Sequence, residues 1–307
     1  MPRARVDDRI ELEYDVIGGG RPLLLIGGLG AQLISWDDRF CELLAGGGYQ
    51  VIRFDNRDAG LSTALDECGV PDLLGLLLEV GSSPYLLDDM AGDALGLLDH
   101  LEIERAHVLG LSLGGMIALL LALSHPDRVV SVVAALSGPP GRPAHLPAPD
   151  VVEALLRRPS TDFEDRVSAA VELRRALAGD SVGFDAPEAR RRAAAQIARS
   201  YRPAGTMRQA AAVLGTPSRL GDLDQLSVPT MIVHGELDPL VPFASARAAA
   251  DAVPNATFIG VPGLGHDLPP PVALQLIERI ADFHAGPATS VGRPRAAPHR
   301  PSQRSRP

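Results

Sequence analysis

The stretch from Ala106 to Ala122, AHVLGLSLGGMIALLLA, constrains this chain more than any other. It opens with an apolar run of strand type around Val108 and Leu109. It passes through Gly110-Leu111-Ser112-Leu113-Gly114 and continues as a long apolar run of helical type. A strand, a sharp turn with serine at its apex, then a helix is the context that a G-x-S-x-G nucleophile elbow requires. Gly110 and Gly114 suit the close backbone approach of so tight a turn. The turn lifts the Ser112 hydroxyl clear of the sheet. It also aims a helix N-terminus, with its partial positive charge, at whatever the hydroxyl attacks. Ser112 is therefore the expected nucleophile.

The pattern around this stretch alternates strands and helices. Residues 9–16 alternate charged and apolar side chains (Ile10, Leu12, Tyr14, Val16), as a half-exposed strand does. Residues 22–26, PLLLI, form a continuous apolar run, the mark of a strand covered on both faces. A helix is expected over residues 36–44 and a strand over 50–55. The strand runs into the polar turn sequence Asp55-Asn56-Arg57-Asp58-Ala59-Gly60-Leu61-Ser62. A helix follows over 85–101, and another buried strand after the elbow over 128–136. Such alternation implies an α/β fold, a doubly wound and mostly parallel sheet of about eight strands.

After Leu136 the pattern changes. Residues 138–150 are a proline-rich bend, and 151–220 carry only helical signals, broken at Pro159, Gly183, Pro187 and Pro203. Strands resume at 230–234 and 257–261, with helices at 243–252 and 271–284. The expected organisation is a core from 1–138 and 223–285, a helical cap inserted over 139–222, and a disordered Pro- and Arg-rich tail over 286–307.

A serine hydroxyl is a weak nucleophile at neutral pH and needs a base, with a third group to orient it. In a sheet of this kind both partners belong on loops at the carboxyl ends of strands. Two loops fit. His234-Gly235-Glu236-Leu237-Asp238-Pro239 follows one late strand, and Asp238 is the favoured acid, with Glu236 as the alternative. Pro262-Gly263-Leu264-Gly265-His266-Asp267 follows the last strand, and His266 is the favoured base. His234 precedes the acid at a strand end, which suits a structural bond within the loop. An oxyanion needs preorganised N–H donors. Leu113 N–H, just after the nucleophile, is one. The other is expected from Gly27-Gly28-Leu29-Gly30, with Leu29 N–H favoured and Gly28 the alternative. Gly28, Gly110 and Gly114 are the supporting glycines.

These blocks together resemble the α/β-hydrolases that carry a helical cap. The resemblance covers residues 8–285 and rests on LLLIGGLGAQLISW (23–36), VIRFDNRDAGLS (51–62), HVLGLSLGGMIA (107–118), SVPTMIVHGELDPLVP (227–242) and VPGLGHDLPP (261–270). The blocks resemble a branch of carboxylic-ester hydrolases that is similar to the anthracycline methylesterases. The segment RSYRPAGTMRQAAAVLG (199–215) also resembles that branch. The resemblance implies an esterase or lipase that needs no cofactor and acts on a small apolar ester. The same fold also serves C–C and amide hydrolysis and, less often, ligand binding without turnover. Many relatives carry His-Gly where this chain has Gly27-Gly28, so a side chain that braces the oxyanion loop is missing here. Tyr201, Met207 and Leu214 are possible pocket residues, although their helical spacing suits the core of the cap better.

Composition narrows the partners. The 307 residues carry a net charge of −9, which argues against nucleic acid. All 29 basic residues are arginine. Arg293, Arg295, Arg300, Arg304 and Arg306 lie in the tail without an acidic neighbour, so the acidity is concentrated elsewhere. No apolar run is long enough to span a bilayer and no apolar leader precedes the first strand, so a cytoplasmic protein without membrane insertion is expected. Cys41 and Cys68 have no metal or redox spacing and are expected to be buried or half-buried thiols; no metal site is expected.

Overall fold

The computed structural model describes residues 1–145, 147–155, 160–179 and 184–285. The expected helix breaks at Pro159 and Gly183 and the tail from Gly286 lie outside these residues. Eight strands form one sheet: β1 (Arg3–Arg5), β2 (Glu11–Gly18), β3 (Arg21–Ile26), β4 (Tyr49–Phe54), β5 (Ala106–Leu111), β6 (Val129–Ala135), β7 (Thr230–Gly235) and β8 (Thr257–Val261). Their order is β1-β2-β4-β3-β5-β6-β7-β8. The first two pairings, β1 with β2 and β2 with β4, are antiparallel, and all others are parallel. The expected mostly parallel, doubly wound sheet is present.

The helices of the core are α1 (Asp38–Gly46), α2 (Leu73–Leu77), α3 (Leu87–His100), α4 (Leu113–Ser124), α9 (Phe243–Ala252) and α10 (Pro270–Ala285). Successive strand residues point to opposite faces, and the core divides accordingly. Leu24 and Ile26 of β3 pack with Met90 and Leu97 of α3, Ile117 and Leu120 of α4, and Ala246 of α9. Leu23 and Leu25 pack on the other face with Phe40 and Leu44 of α1 and Leu276 and Ile280 of α10. Burial on both faces is why these strands read as unbroken apolar runs. Helix α4 is buried from Leu113 to Ala122, which explains its lack of a polar face.

Between β6 and β7 lie α5 (Pro149–Leu155), α6 (Phe163–Ala178), α7 (Ala186–Arg199) and α8 (Pro203–Gly215). Asp162 and Asp185 cap α6 and α7, accepting from Asp165 N–H (2.9 Å) and Glu188 N–H (3.0 Å). Such a cap satisfies one of the orphan donors at a helix start.

Three local expectations needed correction. The helix expected from Trp36 starts at Asp38, because Asp37 turns its side chain onto Arg39 N–H (2.9 Å) and takes the capping position. Strand β1 and helix α2 were not expected, being three and five residues long and too short to show a period. Cys41 is buried, which pushes its thiol pKa up to about 12, but Cys68 is exposed. Cys68 closes a surface 3₁₀ turn, Asp66–Cys68. No helix among the described residues is long and apolar enough to cross a membrane.

At the amino ends of the central strands a buried polar chain ties α10 to the sheet. Tyr49 Oη is hydrogen-bonded to His284 Nδ1 (2.6 Å), His284 Nε2 to Ser131 Oγ (2.8 Å), and Ser131 Oγ to His107 Nδ1 (2.8 Å). Run in either direction, this chain of donors and acceptors is satisfied by two neutral rings. Burial, followed by the charges of Arg21 and Arg105, holds His107 down to about 4. Burial, then His107 and Arg21, holds His284 down to about 3. In the unfolded chain the rings protonate near the ordinary imidazole value of 6.5. Between that value and the folded ones the unfolded state binds more protons, so stability falls as pH falls. The expected slope is up to about 1.4 kcal/mol per pH unit for each ring. Urea melts at pH 7.0 and 4.5 should show a clearly lower midpoint in acid, and His284→Phe should flatten the dependence. Equal midpoints at the two pH values would refute the linkage.

Candidate active site

The candidate site begins at the end of β5. Ser112 sits at φ 55° and ψ −119°, a strained conformation for a residue with a side chain. The neighbours hold it there. Ser112 N–H donates to Ala135 O (2.9 Å) at the end of β6, and Ser112 O accepts from Gly115 N–H (2.8 Å) and Ser137 Oγ–H (2.8 Å). A Cβ at Gly114 would lie 2.0 Å from Ile26 O, and one at Gly110 would lie 2.1 Å from Gly114 O. Only glycine lets strand, turn and helix approach this closely.

The other expected residues converge on Ser112. Ser112 Oγ–H donates to His266 Nε2 (3.0 Å), and His266 Nδ1–H donates to Asp238 Oδ2 (2.7 Å). A carboxylate only accepts, so Asp238 fixes the tautomer that leaves Nε2 free to take a proton. Asp238 is itself held rigidly: its Oδ1 accepts from Leu240 N–H (2.9 Å) and Val241 N–H (2.8 Å), and it is only 7% exposed. The loop of His266 is anchored by donation of its N–H to Leu177 O (2.8 Å) in α6. Glu236, the alternative acid, is exposed.

His234 is fully buried, and its Nε2–H donates to Val241 O (2.8 Å). Its Nε2 also lies 3.3 Å from Asp238 Oδ2. Burial lowers its pKa, partly opposed by Asp238, so it bridges the acid loop as a neutral ring. This is the loop-bonding role expected for it. The chain Tyr49–His284–Ser131–His107 is a second serine–histidine arrangement. Ser131 pairs with His107 at the amino ends of β6 and β5, whereas Ser112 follows the carboxyl end of β5.

The glycine-rich loop after β3 flanks the elbow. A Cβ at Gly28 would lie 3.4 Å from Ser112 Cβ. Among the described residues neither Leu29 N–H nor Leu113 N–H is engaged in a hydrogen bond. Both belong to segments bordering the Ser112 side chain. Of the possible pocket residues, Tyr201 is exposed with Arg166 over its ring (4.4 Å), while Met207 and Leu214 are half-buried on α8.

Sequence reasoning missed the buried polar hub beside this loop. Asp55 accepts from Leu33 N–H (2.6 Å), Leu61 N–H (2.8 Å) and Arg199 Nη1 (2.8 Å). Arg57 forms a bidentate pair with Asp93 of α3 (2.6 and 2.7 Å). Asp58 accepts from Tyr85 Oη (2.9 Å) and from Arg208 Nε (2.9 Å) and Nη2 (2.6 Å) of α8. The sequence marks residues 55–62 as a polar turn, which says nothing of whether its charges are buried. The available signal was Arg208-Gln209 standing among small apolar residues in α8, where a charge needs a buried partner.

Residues 21–269 match the family model described as alpha/beta hydrolase fold. Rhodomycin D methylesterase DauP of Streptomyces sp. (strain C5) is 33% identical over 295 residues, covering 88% of this chain and 93% of the relative. Rhodomycin D methylesterase DnrP of Streptomyces peucetius is 32% identical over the same shares. Among solved structures, the esterase RhEst1 from Rhodococcus sp. ECU1013 superposes with a TM-score of 0.72 at 22% identity, over 93% of this chain and 98% of that one, a likeness of fold. With a strained serine elbow at the carboxyl edge of a doubly wound sheet and a family match that spans most of its length, this chain belongs to the alpha/beta hydrolases.

Proposed function

We propose that the protein is a serine ester hydrolase that removes the methyl group from a carboxylic methyl ester of a bulky polycyclic aromatic compound. The observation that carries this reading is the hydrogen-bonded series Ser112–His266–Asp238, with spacings of 3.0 and 2.7 Å, in a chain 33% identical to a rhodomycin D methylesterase. Ser112 Oγ attacks the ester carbonyl while His266 Nε2 takes its proton. Asp238 orients the ring and stabilises its cationic form. Leu29 N–H and Leu113 N–H receive the negative charge that develops on the carbonyl oxygen. The tetrahedral intermediate collapses by breaking its bond to the methoxy oxygen, which takes the proton from His266 and leaves as methanol. Water, deprotonated by the same nitrogen, then releases the acid from the serine ester. Every group in this sequence belongs to the chain, so no cofactor is required. Residues 139–222 act as the cap that bounds the substrate opposite the elbow.

The substrate class is tested by measuring kcat/KM across p-nitrophenyl esters of increasing acyl length, with methyl esters of tetracyclic aromatic acids alongside. The expected result is a preference for the bulky methyl ester over every acyl ester by tenfold or more, about 1.4 kcal/mol of differential transition-state binding. A preference for long acyl chains would assign a lipase instead. Turnover of a carbamate or a vinylogous diketone with no ester turnover would reject ester hydrolysis.

A further inference from the structure

We infer that Gln209, on the inserted helix α8, is a positioning residue for the oxyanion donor at Leu29. The inference rests on the ester-hydrolase reading above.

The loop Gly27-Gly28-Leu29-Gly30 carries three glycines in four residues. Such a segment has high backbone freedom, and an N–H donor on it is useful only if its direction is fixed before the substrate arrives. From the core the loop is restrained by the packing of the half-buried Leu29 side chain and by two hydrogen bonds. Asn56 Nδ2–H donates to Gly27 O (3.2 Å), and Ala31 N–H closes a turn onto Gly28 O (3.1 Å). The peptide on the far side of Leu29 is held from α8. Gly30 N–H donates to Gln209 Oε1 (2.8 Å), and Gln209 Nε2–H donates to Arg57 O (2.7 Å). One partner is an N–H and the other a carbonyl, so the amide has only one satisfying orientation. Gln209 is 0% exposed, and water does not compete for either bond.

The helix that carries Gln209 is itself fixed to the same loop region. Arg208 is 1% exposed and grips Asp58 with two bonds. Gly30 lies at φ +66°, and a Cβ there would come within 2.7 Å of Thr206 Oγ1 on α8. The oxyanion loop is thus clamped between the elbow on one side and α8 on the other. Gln209 touches neither Ser112 nor the position of a reacting carbonyl. It acts through the Leu29–Gly30 peptide: holding that plane limits φ and ψ at Leu29, and so helps the Ala31–Gly28 bond keep the Leu29 N–H in one direction. A consequence is that the segment bounding the substrate also completes the oxyanion site.

The test compares Gln209→Met, which keeps the volume and removes both bonds, with the unsubstituted enzyme. Activity is measured on a p-nitrophenyl ester, together with binding of two inhibitors. One is an alkyl trifluoromethyl ketone, which forms a tetrahedral oxyanion with Ser112. The other is the matching alkyl ether, which has no carbonyl. The expected result is a 10- to 100-fold fall in kcat with KM changed less than threefold, a fraction of the loss seen when an oxyanion donor is removed outright. Ketone affinity should fall in step, with ether affinity unchanged. Unchanged ketone affinity in a folded variant, whatever happens to kcat, overturns the inference. If Gln209→Met does not fold, Gln209→Asn carries the same test, since its amide is one methylene too short to span Gly30 N–H and Arg57 O. Ser112→Ala run in parallel separates the two levels: persistent ester turnover in that variant removes the serine reading itself, not the assignment of Gln209.

Discussion

Ser112→Ala is expected to lower kcat for ester hydrolysis by about 10⁵-fold or more while leaving the fold intact. The hydroxyl makes one side-chain hydrogen bond, to His266 Nε2, and the elbow is held by backbone bonds that alanine keeps. The strained φ of 55° is retained, as alanine and serine tolerate it about equally. Thermal midpoints within a few degrees of each other, loss of labelling by a fluorophosphonate, and loss of turnover together form the expected signature. The residual rate should come from the oxyanion donors and binding alone. Turnover above one part in a hundred would place the nucleophile elsewhere, and Ser131 with its two histidines would be the next residue to test.

Asp238→Asn is expected to reduce kcat by about 10⁴-fold with little effect on KM. The size of the effect follows from the hydrogen bonds around the carboxylate. Oδ1 accepts two backbone N–H groups, from Leu240 and Val241, so in asparagine the oxygen must stay on that side. The amide NH₂ then faces His266 Nδ1 at 2.7 Å. It can only donate there, which forces the proton of the neutral ring onto Nε2. That tautomer cannot accept the Ser112 proton. Imidazolium formation in the transition state is disfavoured as well, because its charge partner is gone. Glu236→Gln, two residues away and exposed, is the control and should retain full activity. An Asp238→Asn enzyme within tenfold of the original would mean that another carboxylate orients the base.

How much of this was legible beforehand follows from what makes each residue recognisable. Ser112 was readable because an elbow leaves a local imprint: an apolar strand, glycines at fixed spacing and a helix within seventeen residues. Asp238 and His266 were readable through rank order, each on the first loop after a late strand, since the sheet brings all such loops to one edge. The sequence favours Asp238 over Glu236, and the structure supplies the physical reason. Both stand on one loop two residues apart, and the turn aims Leu240 and Val241 N–H at Asp238. The loop and the elbow are enough to nominate Leu29 and Leu113 N–H as candidate oxyanion donors, but not to show what holds the loop.

The hub at residues 55–58 and its partners on α8 had no local imprint at all. Asp58 and Arg208 are 150 residues apart, and their pairing is a property of how the inserted helices sit on the core. A charge is identical in sequence whether it is solvated or buried, because the difference lies in the partner and not in the residue. Short elements escaped for a related reason, since three residues of β1 carry no period and are a strand only because β2 offers them hydrogen bonds. By itself the sequence determined the alternation of strands and helices, the serine elbow and the order of its partners, because these depend on local propensity and on spacing along the chain. Tertiary structure alone decided what holds Asp238 in place, where the buried charges are neutralised, and that α8 grips the glycine-rich loop through Gln209. Those outcomes depend on distances between segments that the chain brings together only on folding.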